Sequence, residues 1–540
     1  MKVSGASFAV FVYPFSFDRR RWVDLVRSAE SDTLAESDSQ WNVWKTRSFP
    51  ADDLLRHVAE YLNPPPGVPA AARIWSMDER VIASPRGLGF RPGAVSLLLR
   101  HRAGLKSEAS DSNNVNGGAL PLHISGVDFA LFRGGMGYLL FSVRPRSDLP
   151  EDWYDFLNGF RYIDRLTQVA LTFRRRVSKQ RTEPFFPPLA DCPDCSESGR
   201  GSVGHLIRGI LRRLAPGDVS WWQEIFVPAQ VIPFYALFFE EAAKEEQPLI
   251  LYRLRNFFRA GQELVPSEYD LRYDPKNLLP YAERMWFLST LEGGGFVAFD
   301  APETAFWSQT MPSHLREQYL LLFVLALNQR FTLMHLSNQV SANWLGSGAT
   351  EAEERFSELR EGLLEFTARG YFHQVMQRDH HHRCFRAWRT VFETERLYEE
   401  VKEEVRELHG ILLMRKTERI QLLAEEQRRS MHVAEQLSAE REEAAQKRAG
   451  RISGWLGGIA FLLGFPSLVL GFLGVIGQSD FWIAVGSLGS AVALGAVLML
   501  IAHSVLREPS HAAVERQDPP DGEGAARDAA AYPDTGPPAP

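Results

Sequence analysis

Two uncharged apolar stretches near the C-terminus constrain this 540-residue chain more than any other feature. Residues 452–476 and 481–505 contain no charged side chain, and each is long enough to cross about 30 Å of hydrocarbon as a helix. Only residues 477–480 separate the two stretches. The sequence therefore predicts a tight hairpin of two transmembrane helices.

The charges around this hairpin predict its orientation. Lys447, Arg448 and Arg451 precede the first stretch and Arg507 follows the second, whereas the connection carries no Lys or Arg. Because positive charges are retained on the cytoplasmic side, we predict both termini in the cytoplasm and the hairpin in the inner (plasma) membrane.

A long amphipathic helix is predicted directly before the membrane. Residues 389–450 contain no proline and one internal glycine, Gly410. Apolar residues recur at nearly the spacing of a straight helix, along the stripe Leu397, Val401, Val405, Leu408, Leu412, Ile420, Leu423, Met431, Ala434 and Leu437. A lone helix cannot bury such a stripe, so we expect it to pack on copies of itself or on neighbouring helices. A solvated, charged helix is the alternative.

The remaining segments predict an α+β cytoplasmic domain followed by a long stalk helix and a two-helix transmembrane hairpin. The predicted units are an N-terminal α/β region (1–175), a linker or long loop (176–204), a second β-containing region (205–311), a helical layer (312–388), the stalk helix (389–450), the hairpin (451–506) and a disordered tail (507–540).

Several local patterns are specific enough to name. Residues 8–15 read as a buried strand. The glycine-containing segment Gly134–Gly137 separates two strand-like runs, 127–133 and 138–144, which favours a hairpin turn. The alternative is a phosphate-cradling loop, although no helix follows directly and no Lys-Ser/Thr pair is present. A second turn is predicted at Gly293–Gly295.

The helical layer has predicted boundaries of its own. Pro312 suits a helix start, and the apolar run 319–327 is too short to cross a bilayer, so we predict a core helix. Thr350 and Glu353 have the spacing of a capping box for the next helix, which Gly370 is suited to end.

The first transmembrane stretch carries a stripe of small or polar residues at alternating steps of four and three. This stripe comprises Ser453, Gly457, Ala460, Gly464, Ser467, Gly471, Gly474 and Gln478. Small residues at this spacing permit close packing on the second stretch, or line a water-filled axis. Both interpretations remain open, and the two are compatible.

Composition and sequence motifs argue against several classes of function. The net charge of −7 argues against nucleic acid as the main partner. Cys192 and Cys195 have the spacing of half a zinc ribbon, which 379–384 would have to complete, but we favour reduced loop cysteines and a solvated histidine run. No hydrolase or NTPase motif is present, so we do not expect an enzyme.

This order of segments resembles the CorA/ZntB family of divalent-cation channels, over about residues 312–506. The likeness is greatest at 465–477, which is similar to the proline-containing, glycine-rich end of that family's first span. The resemblance implies a homopentamer whose first spans line the pore. It also implies a cytoplasmic domain that senses a ligand, with Mg²⁺ or another divalent cation as substrate or regulator.

The chain departs from that family at the outer mouth. Gly477, Gln478 and Ser479 stand where the family has Gly-Met-Asn, and Asp480 is the one acidic residue of the connection. A ring of Gln478 amides would face the hydrated cation instead of asparagine amides. Divergent members of the superfamily also occur as membrane effectors of CRISPR-linked and other antiphage systems, in which a cytoplasmic domain binds a signalling nucleotide.

Three functional hypotheses follow. The leading one is a CorA-like oligomeric channel for divalent cations, gated by its cytoplasmic domain. The second is a membrane effector activated by a nucleotide second messenger, and the third is a non-conducting, membrane-anchored binding protein.

Overall fold

A computed structural model describes the following residues of the chain: 1–36, 39–51, 53–65, 67–83, 88, 95–98, 119–163, 169–172, 174–176, 182–184, 200–215, 218, 220–262, 264–268, 277–346, 349–473, 489, 493–497 and 500–501. These residues form a mixed α/β protein with a large sheet and one very long helix. Two compact units are distinguished, Met1–Thr417 and Glu418–Pro540.

The described strands are β1 (Lys2–Val3), β2 (Phe8–Phe17), β3 (Thr33–Glu36), β4 (Ser39–Asn42), β5 (Trp44–Arg47), β6 (Ala72–Met77), β7 (Val95–Leu98), β8 (Ala119–Phe132), β9 (Met136–Pro145), β10 (Val169–Thr172), β11 (Arg174–Arg176), β12 (Thr182–Pro184), β13 (Arg200–Gly201), β14 (Trp222–Glu224), β15 (Ile232–Glu240), β16 (Leu278–Ala282), β17 (Met285–Thr290) and β18 (Gly293–Phe299). Within the described residues, 14 strands join one sheet, whose central path runs β13-β10-β7-β8-β9-β2-β15-β18-β17-β16. Neighbours on this path are antiparallel except β15 and β18, which are parallel.

The described helices are α1 (Trp22–Ser31), α2 (Arg56–Leu62), α3 (Glu79–Ala83), α4 (Pro150–Gly159), α5 (Val203–Leu214), α6 (Gln247–Arg255), α7 (Met311–His314), α8 (Leu320–Gly346), α9 (Ala349–Glu365), α10 (Asp379–Val391) and α11 (Thr394–Leu473). Short π-helical segments precede and follow α7 and end α9, at Phe306–Thr310, Leu315–Tyr319 and Phe366–Gly370.

Strand β2 is the centre of the core, and every one of its residues is buried. Because side chains alternate across a strand, Phe11, Tyr13 and Phe15 pack in one apolar cluster with α1, α4, α5 and α6. Val10 and Val12 face the opposite cluster, with α2, α8 and α10. The predicted buried strand is confirmed, and its unbroken apolar run follows from having helices on both faces of the sheet.

The first turns of α8, residues 320–327, are apolar on all sides, as suits a helix that is surrounded by protein. Phe323, Leu325 and Phe331 are almost fully buried, which confirms the predicted core helix. The segment Phe306–Ser341 has the length and hydropathy of a membrane span, but 72% of its most apolar window is buried inside the protein.

A third apolar cluster joins α8, α9 and the first turns of α11. Leu336 and Leu359 meet Val401, Val405 and Leu408 there, so the early part of the predicted stripe is buried. Further along α11, Ile420, Leu423 and Met431 are 55–58% exposed. Helix α11 continues without interruption to Leu473, as the predicted long helix requires.

The glycine run 293–295 was predicted as a turn and is instead the start of β18, with the turn at Leu291 and Glu292. A Cβ on Gly295 would lie 1.8 Å from the carbonyl oxygen of Tyr235. Gly293 and Gly295 therefore permit the close approach of the parallel strand β15, and Gly294 that of the antiparallel strand β17.

Four further predictions need correction. Helical structure begins at Phe306 and not at Pro312, and the stalk helix begins at Thr394 because Glu393, at a φ of 50°, interrupts the helical path after α10. The histidine run is not solvated, since it lies in α10 with His381 only 1% exposed. The helix carrying Thr350 begins one residue earlier, at Ala349, and its last helical turn ends at Gly370 as predicted.

Candidate functional site

A cavity of about 530 Å³ lies between the end of β2, the β8–β9 turn, α8 and α9. All of its lining residues belong to the unit Met1–Thr417. It is built from segments that lie far apart in sequence: the Arg19 guanidinium donates to the Glu358 carbonyl oxygen at 3.4 Å, across 339 positions.

The β8–β9 turn forms one wall of the cavity. Strands β8 and β9 pair antiparallel up to Phe132 and Met136, which confirms the predicted hairpin. Gly135 adopts a φ of +90°, and a Cβ there would lie 2.8 Å from the carbonyl oxygen of Phe17. The Phe17 amide in turn donates to the Gly135 carbonyl at 2.8 Å. Glycine at this position thus holds the turn against the end of β2, where the basic segment 19–21 begins.

Arginines dominate the charge of the cavity. Those that line it are Arg19, Arg20, Arg21, Arg133 and Arg355. The carboxylates that line it are Asp18, Glu358 and Glu365. Five guanidinium groups thus line the cavity beside three carboxylates, and a fourth carboxylate, Asp218, pairs with Arg21 at 2.5 Å.

The carboxylates are shared among these cations. Glu365 lies 3.5 Å from Arg19 and 3.7 Å from Arg133, both longer than a direct charged hydrogen bond. Glu358 pairs with Arg20. The Asp18 side chain accepts the backbone N–H of Arg20 at 2.9 Å and so caps the short 3₁₀ helix Arg19–Arg21. All three carboxylates are therefore engaged, and Glu365 is shared between two arginines.

Uncharged polar groups on α8 complete the wall. Burial lowers the pKa of His335, so its imidazole is neutral at pH 7. The Gln339 amide nitrogen lies 2.9 Å from His335 Nε2. Because an amide nitrogen can only donate, Nε2 accepts this hydrogen bond and the proton of the neutral imidazole is on Nδ1. Asn328 accepts from the Tyr138 hydroxyl at 3.3 Å. Burial, with the nearby Glu365 carboxylate, raises the pKa of Tyr61 above its ordinary value, so this hydroxyl remains a hydrogen-bond donor.

Aromatic rings form the apolar part of the lining, namely Phe17, Phe132, Trp221 and Phe366. The cavity therefore combines guanidinium groups, neutral hydrogen-bonding groups and ring surfaces. Such a lining suits an anion that carries an organic group. In the described part of the chain, no three His, Cys, Asp or Glu side chains are grouped to hold a metal ion.

No protein-family model matches the chain, and searches of characterised proteins and of solved structures gave no match. The residues themselves are therefore the basis for assigning a function.

The predicted pore-lining residues fall on α11 and beyond it. Ser453, Gly457, Ala460 and Gly464 lie on described turns of the helix, and the Ser453 hydroxyl donates to the Gly450 carbonyl at 3.1 Å. The backbone of Ser467 and Gly471 is helical. The predicted residues Gly474, Gly477, Gln478, Ser479 and Asp480 lie outside the described residues, as do the zinc candidates Cys192 and Cys195 and most of the second predicted span.

The arginine-lined cavity was not predicted from the sequence. The signal that marks it is Asp18-Arg-Arg-Arg21 directly after a fully buried strand, since a short basic run at a strand end places cations at the edge of a sheet. Its counterpart on the hairpin, Arg133, is separated from that run by more than 100 positions.

Proposed function

We propose that this chain is a CorA-like, homo-oligomeric two-span channel for divalent cations, and that its α+β domain controls conduction. The expected assembly is a pentamer in the inner membrane with both termini in the cytoplasm. The small and polar face of the first span would line the aqueous path.

The observation that carries this proposal is the continuity of α11. Its first turns are buried in the apolar cluster with α8 and α9, and the same helix extends through the uncharged residues 452–473. Ile452, Leu456 and Phe461 of that segment are 61–68% exposed in the isolated chain. Apolar side chains exposed along a helix in this way are stabilised by lipid and not by water. Their exposure therefore supports a membrane-spanning segment.

The full-length protein reconstituted in liposomes tests conduction, with Mg²⁺ entry read by an enclosed fluorescent indicator. Gly464→Leu fills the small-residue face and is expected to abolish entry. Gly458→Leu is the matched control because its position is about 120° around the helix from Gly464. Absence of ion flux under every ligand condition, or equal loss in both variants, would contradict the proposal.

A membrane effector switched by a small ligand is the second candidate, and the arginine-lined cavity favours it. Selectivity separates the two candidates. A divalent-cation channel admits Mg²⁺ and retains an enclosed dye, whereas a membrane-disrupting effector releases both. A non-conducting anchor would keep its function when both spans are replaced by unrelated ones.

A further inference from the structure

We propose that the arginine-lined cavity binds an organic phosphate of about nucleotide size, and that this ligand acts on the stalk helix through α9. The regulatory half of this inference rests on the proposed function, whereas the binding half does not.

The arginine side chains of the cavity favour the binding of an anion. Arg19 and Arg133 share the single carboxylate of Glu365 at 3.5 and 3.7 Å, so two cations face one anion at distances that leave room for closer pairing. A guanidinium group has five N–H donors in a planar fork, which matches the oxygens of a phosphate. A phosphate placed between these two side chains would gain charged hydrogen bonds that Glu365 alone does not supply to both.

The volume of the cavity and the apolar part of its lining favour an organic anion over an inorganic one. A volume of about 530 Å³ is within the range of small-molecule pockets and much larger than a free phosphate ion requires. Phe17, Trp221 and Phe366 line the cavity at 3–7% exposure and contribute small apolar patches, and Gln339 contributes an amide. An organic group with apolar and polar parts fits such a lining, because its apolar surface packs on these patches while its polar atoms form hydrogen bonds.

The same cavity touches the beginning of the stalk. Leu336 and Leu359 line the cavity and also pack in the apolar cluster with Val405 and Leu408 of α11. Directly beside these contacts, the Ser337 hydroxyl donates to the Glu404 carboxylate at 3.0 Å. A ligand that draws Arg19 or Arg133 away from Glu365 changes the charge balance of α9, and α9 is packed directly on the stalk's first turns.

Calorimetric titration of the full-length protein in detergent tests binding, with ATP, inorganic pyrophosphate, adenosine and citrate as probes. We expect ATP to bind and pyrophosphate to bind more weakly, with adenosine and citrate much weaker than either. The double variant Arg19→Gln/Arg133→Gln should weaken ATP binding at least tenfold. Arg56→Gln is the control, because Arg56 is an exposed arginine that does not line the cavity.

Three results would overturn the binding half. They are no heat with ATP or pyrophosphate at millimolar concentration, equal affinity in the double variant, and citrate binding as tightly as ATP. Thermal unfolding of each variant confirms that a loss of binding is not a loss of fold.

Hydrogen exchange of the same sample tests the coupling to the stalk. ATP is expected to slow exchange in peptides from α9 and from residues 397–412, and to leave α6 unchanged. Protection confined to the cavity walls would overturn the coupling. Binding and protection without any ion flux would leave this inference intact and contradict the proposed channel instead.

Discussion

Gly135 lies in the β8–β9 turn with a positive φ and directly against the backbone of Phe17. Replacement by alanine adds both a conformational cost and a contact of 2.8 Å with a carbonyl oxygen that cannot move freely. Gly67 has nearly the same φ, +88°, and no atom within 4 Å of an added Cβ. Comparing alanine substitutions at Gly135 and Gly67 therefore separates the free-energy cost of the positive φ from that of the contact with Phe17.

We expect Gly135→Ala to destabilise the domain by roughly 1–3 kcal/mol more than Gly67→Ala. Chemical denaturation followed by tryptophan fluorescence measures the difference. Equal effects of the two substitutions would mean that the turn relaxes away from β2 without cost.

His381 is the second residue with a measurable consequence. Its ring is buried against Tyr319 at 4.7 Å between ring centroids, and its Nδ1 has no hydrogen-bond partner among the described residues. Burial, reinforced by the neighbouring His380, lowers its pKa to about 4. The folded protein thus holds this imidazole neutral at a pH at which the unfolded chain binds a proton.

The pH dependence follows from that difference. Because the folded pKa is below the ordinary value of about 6.5, the contribution of His381 is complete above that pH and is lost as the pH falls toward 4. Its size is about 3 kcal/mol. Unfolding midpoints measured between pH 7 and 4 should fall less steeply for His381→Phe than for the unaltered protein. The exposed His432 supplies the control His432→Phe, which should leave the slope unchanged.

At the scale of elements, the part of the α11 apolar stripe from Ile420 to Leu437 is left uncovered by the residues that the structure describes. Leu423 lies on this stripe and is 56% exposed, whereas Leu422 is 67% exposed and points about 100° away. Burial of a leucine between copies of the helix would contribute about 1.5–3 kcal/mol per side chain.

Leu423→Gln is therefore expected to lower the stability of the proposed oligomer to dilution, and Leu422→Gln to leave it nearly unchanged. Native mass spectrometry of the detergent-extracted protein measures the distribution of oligomers for both. If the two variants dissociate alike, the stripe does not form the contact between copies.

Elements with strong local patterns could be predicted, and those defined by distant contacts could not. Strand β2 was predicted from its apolar run, and the β8–β9 hairpin from glycines between two strand-like runs. The long helix was predicted from apolar residues that recur at helical spacing. The 293–295 turn was misplaced because sequence does not distinguish a glycine needed for a turn from one needed for close strands. The start of α11 was misplaced because one residue, Glu393, takes a positive φ.

At the scale of the whole molecule, the cavity escaped prediction for a topological reason. Its walls come from the end of β2, a hairpin turn, the middle of α8 and the end of α9, and only the order of strands in the sheet brings them together. The net charge gave no hint either, because the chain as a whole is acidic while five arginines line this cavity.

The buried helix within Phe306–Ser341 also has a consequence for biogenesis. It is apolar enough to pass for a membrane segment, and it leaves the ribosome before α10 and α11, which later cover it. In a protein with the two proposed spans, an insertion machinery would encounter a third apolar segment during that interval. Correct topology thus depends on the sheet folding quickly enough to sequester α8 during translation, so slowing the synthesis of residues 347–400 gives the misinserted product more time to form.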